Sequence, residues 1–258
     1  MLPRRLRNYV DNQNWTAIVI ELLVVVLGVF IGLQVDNWNQ TRIEQNTVKS
    51  YYERLIEDLR TNADSFQARQ DYYRKVQAHG QSALDTLQGS QTTSAEQFLI
   101  DAYQASQIWQ VFINRAAYDE ILSVGAMNTI PDIDARSKLT NYHSAFDGIA
   151  PQLNSLSAYR ETIRSYIPIE IQRSITGNCG DTITVNAKGA IQNDLPDQCD
   201  LNLEAALTAT AKDSLIIAPE LETQLTRRLA DLDMKLKILQ RNKDRSTTLA
   251  DYLDSNRP

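Results

Sequence analysis

A chain of 258 residues with 43% hydrophobic and 22% charged residues has the balance of a folded protein rather than a disordered one. Its net charge of −6, with basic and acidic residues interspersed, leaves no electrostatic case for nucleic acid as a partner. Glycine (9) and proline (7) are scarce, which favours long helices over a many-turned β architecture, so the expected fold class is all-α.

The first element is an apolar run from Trp15 to Val35. Fourteen of its 21 residues are Val, Ile, Leu or Phe. As a helix it covers about 30 Å of hydrocarbon, and Trp15 and Trp38 bracket it roughly 34 Å apart as interfacial anchors. The reading is one transmembrane helix over 15–35. Arg4, Arg5 and Arg7 precede it against Asp11, whereas Arg42 and Lys49 follow it against Asp36 and Glu44. This modest bias places residues 1–14 in the cytoplasm and 36–258 outside it. Glu21 interrupts the run and LQVDNW offers no small-x-small cleavage site, so an uncleaved anchor is preferred to a signal peptide.

Glu21 costs about 2–3 kcal/mol at its depth, which the apolar residues outweigh. It is either a snorkelling side chain with no task or an interhelical contact. Spacing favours contact: Glu21, Val25, Gly28 and Gly32 step by four, three and four along one helix face, and Gly28 with Gly32 forms a G-x-x-x-G pair. The expected partner of this face is a second copy of the chain or another membrane protein.

Beyond Asn39, apolar residues recur at helical spacing from Ile43 to Phe66, which predicts a long helix ending at Gly80 or at Gly89-Ser90. Thr93-Ser94-Ala95-Glu96 reads as a capping box opening the next helix. A further helix spans Arg115 to Val124, with Gly125 as its left-handed cap. Asp132 or Asp134 caps a helix through Leu139 and Phe146. Pro151 either kinks that helix or opens a new one ending near Ser165. The last helix starts near Pro219, with Leu225, Leu229, Leu232, Leu236 and Leu239 as a packing seam.

Residues 177–200 are turn-rich, with one alternating run at Thr182–Val185, and read as a small β-hairpin or an irregular excursion. Cys179 and Cys199 flank this segment. Outside the cytoplasm a disulfide is expected in preference to two buried thiols. Asp181, Asp194, Asp197 and Asp200 fit no calcium-loop spacing. His79 and His143 have no sequence-local metal partner and read as surface or core-edge residues. Tyr51, Tyr52, Tyr72 and Tyr73 either line a cleft or pack in the core. No catalytic, nucleotide or metal motif is present, so the expectation is no enzyme and no cofactor.

Glu21–Gly28 followed by Leu33-Gln34-Val35-Asp36-Asn37-Trp38-Asn39 resembles an uncharacterised family of bacterial single-span membrane proteins with an E-x-L-V-V-x-G … L-Q-V-D-N-W-N signature. Tyr118–Ile130 resembles that family's second patch, with Ile121, Val124 and Met127 departing from it. The resemblance implies an inner-membrane location and no assigned activity. The functional expectation is a membrane-anchored extracytoplasmic binding or scaffolding module. The alternative is a periplasmic ligand-sensing subunit that signals through a partner membrane protein.

Overall fold

The computed structural model describes residues 15–185, 191–196 and 199–258, with the side chains of residues 15–17 outside that set. Arg4, Arg5, Arg7, the Trp15 side chain and Asp197 therefore lie outside the described residues. Two compact units divide the chain, Met1–Ser50 (with Pro258) and Tyr51–Arg257. Each is taken by itself.

The described chain is mostly helical, and its first helix, α1 (Trp15–Leu87), is continuous over 73 residues. Gly80 does not end it. That glycine is buried, and a Cβ there would meet Leu229 Cδ2 at 2.9 Å and the Ala105 Cβ at 3.5 Å. Its missing side chain permits close packing rather than a turn. The helix stops at Gly89, whose φ of +70° suits glycine after a helix end.

Helix α2 (Ala95–Gln104) opens at Ser94, whose side chain accepts from the Gln97 amide at 3.0 Å. The cap thus lies one residue beyond the expected Thr93 and is one-sided, because the Gln97 side chain bonds Asp101. Glu96 instead accepts from the Leu201 amide at 2.5 Å, a tertiary partner that local spacing does not reveal. Helix α3 (Ala116–Ser123) is followed by Gly125 at φ +68° and a 3-10 turn, Ala126–Thr129. Asp132 caps α4 (Ile133–Leu153) by accepting from Asp134 N at 2.8 Å. Pro151 sits inside the last turn of α4, and Ser157 caps a separate α5 (Ala158–Tyr166).

After Pro168 comes α6 (Ile169–Cys179), then an antiparallel hairpin of β1 (Thr182–Val185) and β2 (Ile191–Asp194) in which Val185 pairs with Ile191. Cys179 and Cys199 form a disulfide with Cα atoms 5.4 Å apart, within ordinary disulfide reach. Helices α7 (Ala205–Ile216) and α8 (Leu221–Ser255) complete the chain. One core joins α2, α5 and α6 through Phe98, Leu99, Tyr159, Ile163, Ile171 and Ile175. Another joins α1, α4 and α8 through Phe66, Tyr72, Tyr73, Phe146, Leu232 and Leu239.

Candidate functional site

The residues singled out on α1 share one narrow face. At 3.6 residues per turn, Glu21, Val25, Gly28 and Gly32 fall within an arc of about 60°. The apolar window of this helix is 0% buried. A Cβ added at Gly28 or at Gly32 would meet nothing within 4 Å, so both backbones are open to close approach. Trp38 is also exposed, with the Arg42 guanidinium 5.8 Å from its ring centre.

The chemistry of Tyr51–Arg257 centres on a non-helical strap, residues 105–115, that threads among buried side chains. Buried backbone groups need partners, and among the described residues no helix, sheet or turn supplies them from 108 to 114. Side chains do so instead. The Tyr73 hydroxyl donates to the Trp109 carbonyl at 2.9 Å and accepts from the Trp109 amide at 3.0 Å. Arg69 donates to the Gln110 carbonyl, with its guanidinium 4.4 Å from the Trp109 ring centre. Arg228 donates to the carbonyls of Ala105 and Gln107. Asn62 bonds both backbone groups of Asn114, and Asn154 bonds both of Val111. Burial lowers Arg69 to about 10 and holds Arg228 below its usual range.

The strap accounts for Tyr73, and Tyr72 packs edge-on to its Trp109; Tyr51 is half-buried. Tyr52, Tyr72 and Tyr73 are packed in the core rather than around a cleft. The Tyr72 hydroxyl donates to the Asp181 carboxylate at 3.1 Å. Desolvation raises Asp181 above the usual carboxylate range, against the Tyr72 hydrogen bond and Arg160.

The two histidines sit in different settings. His79 Nδ1 lies 2.7 Å from Asp101 Oδ1, and the same carboxylate accepts from Ser82 at 2.6 Å and from Gln97 at 2.9 Å. Ser82 donates to the acid, not to the imidazole, so the trio lacks the nucleophile–base bond of acyl-transfer chemistry. His143 is buried and stacked on Tyr118 at 3.9 Å, and its Nδ1 lacks a partner. Burial lowers it to about 4, with Arg115 adding to the effect. Among the described residues no group of three or more His, Cys, Asp or Glu is placed to hold a metal ion.

No family model, curated protein or solved structure matches this chain.

Sequence reasoning missed the buried cations of α8. Leu225, Leu232 and Leu239 are buried as the seam requires, but Leu229 and Leu236 are only half-buried. The neighbouring buried positions are instead Arg228, Lys235 and Asn242, spaced by seven. That spacing, repeating the leucine seam three residues on, was the available signal.

Proposed function

We propose that this protein is a membrane-anchored extracytoplasmic binding module that crosses the inner membrane once through residues 15–35 and pairs with a second copy through Glu21, Val25, Gly28 and Gly32. The observation that carries the reading is an apolar helix segment with none of its window buried and two glycines open on the face of its one carboxylate. Small residues let two helix backbones approach in lipid, where polar contacts also add to association. The Cys179–Cys199 disulfide and the arginines before the span support placing the C-terminal helices, read as a bundle, outside the cytoplasm. The motif resemblance to single-span proteins supports the same topology.

The test is crosslinking of the full chain in its native membrane. Dimer yield falls several-fold for Gly28→Ile and for Gly32→Ile, while Leu23→Ile on the opposite side leaves it unchanged. Undiminished dimer in both glycine variants removes the pairing.

A second reading, a ligand-sensing subunit acting through a partner's span, is favoured by one feature. A cleft of about 450 Å³, in the usual range for small-molecule sites, opens beside α8.

A further inference from the structure

The cleft lies between the α4–α5 connection and the flank of α8 from Gln224 to Ile238. Its charge is lopsided: Arg227, Arg228 and Lys235 line it against one carboxylate, Asp231. Two of the three cations are buried, Arg228 at 2% and Lys235 at 6% exposure. Their contacts among the described residues are not to carboxylates. Arg228 donates to two backbone carbonyls, and the Lys235 ammonium has the Tyr73 hydroxyl at 3.4 Å and the Tyr73 ring centre at 4.6 Å.

The Lys235 ammonium has a phenol as its hydrogen-bond partner and only the Asp231 carboxylate acting on it across the cleft wall, a weak balance for a buried charge that desolvation opposes. Desolvation accordingly pulls Lys235 down to about 8, with Arg228 reinforcing it. On the same wall, Gln224 holds a buried Oε1 that has no hydrogen-bond partner. The rim is apolar: Leu156 and Met234 line the mouth and are both more than half exposed. Leu153 and Ile238 lie deeper.

We infer that this cleft binds a small organic anion, its carboxylate or phosphate group meeting Lys235 and Arg227 and its apolar body lying against Leu156 and Met234. The Gln224 oxygen then accepts from a donor on the same ligand. Arg228 holds the strap and sets the positive field behind the site. The inference rests on the ligand-sensing reading, but it stands whether or not the α1 face pairs, because its test reads binding directly.

The experiment is calorimetric titration of the full chain in nanodiscs with phenylacetate and with phenyl phosphate, using inorganic phosphate as the control. At least one aromatic anion binds saturably below about 1 mM, and more tightly than inorganic phosphate. Lys235→Met keeps the stem and removes the charge, and it weakens that binding at least tenfold, the loss expected for a hydrogen bond to a charged group. Arg227→Gln, at the exposed edge, weakens it several-fold and decides the matter if Lys235→Met does not fold. No saturable binding of either aromatic anion up to about 10 mM overturns the site. Undiminished binding by the folded variants does the same. Equal affinity for inorganic phosphate overturns the apolar half of the proposal.

Discussion

Two chemically identical substitutions, each deleting one buried phenol oxygen, are expected to have opposite consequences. Tyr73 and Tyr52 are both 0% exposed on α1. The Tyr73 oxygen is the partner of both the amide and the carbonyl of Trp109, itself buried in the strap. Tyr73→Phe strands those two backbone groups away from water. Each such group costs about 1–3 kcal/mol, so the variant loses roughly 2–6 kcal/mol. The Tyr52 oxygen is buried without a partner. Tyr52→Phe removes an unsatisfied polar atom and is neutral or stabilising by about 1 kcal/mol. Urea unfolding followed by the helical circular-dichroism signal separates the two: the midpoint falls for Tyr73→Phe and holds or rises for Tyr52→Phe. A Tyr73→Phe midpoint at or above that of Tyr52→Phe would refute the claim that side chains satisfy the strap's backbone.

Acidification offers a further test. His143 titrates near 4 in the folded chain against 6.5 when free, so between those values the unfolded chain binds the extra proton. Its contribution is complete above 6.5 and falls as pH drops toward 4, by about 3 kcal/mol in all. His143→Phe flattens that part of a stability–pH curve, and an unchanged curve contradicts the assignment. The disulfide closes a loop of sequence separation 20, so Cys179→Ala with Cys199→Ala loses about 3 kcal/mol on thermal unfolding. A variant as stable as the parent would mean that the cross-link constrains nothing. Asp58 reaches from α1 to accept from the Ala117 amide at 2.9 Å at the start of α3. Asp58→Ala therefore lowers the unfolding stability by the loss of a helix cap, about 1 kcal/mol; Asp58→Asn keeps the acceptor for the Ala117 amide but turns an amino group toward the Asn114 Nδ2 donor, and so recovers only part of that loss.

Much of this architecture is legible in local pattern because local chemistry produces it. The apolar run, the Asp132 cap, the left-handed Gly125 and the Cys179–Cys199 pair each follow from a few adjacent residues or one spacing. What escaped depends on distant partners. Gly80 looked like a stop, but its role is set by Leu229 and Ala105, which lie far along the chain. Glu96 looked like a capping acid and was claimed by Leu201. Helices α6 and α7 are short. The turn-rich residues beside α6, and the alternating alanines and threonines of α7, hid their helical period. Arg228 and Lys235 are buried by partners outside their own helix, and the strap that draws Arg228 inward has no periodicity of its own. The cleft beside them arises from residues up to 86 positions apart, from Gln152 to Ile238, and no local window contains it.

The central claim is that residues 15–35 cross the membrane with the C-terminal helices outside the cytoplasm. Fusing alkaline phosphatase, which folds only where disulfides form, to the C-terminus tests it most directly. The account predicts an active fusion that stays with the membrane pellet after carbonate extraction. An inactive fusion, or one released into the soluble fraction, would contradict it.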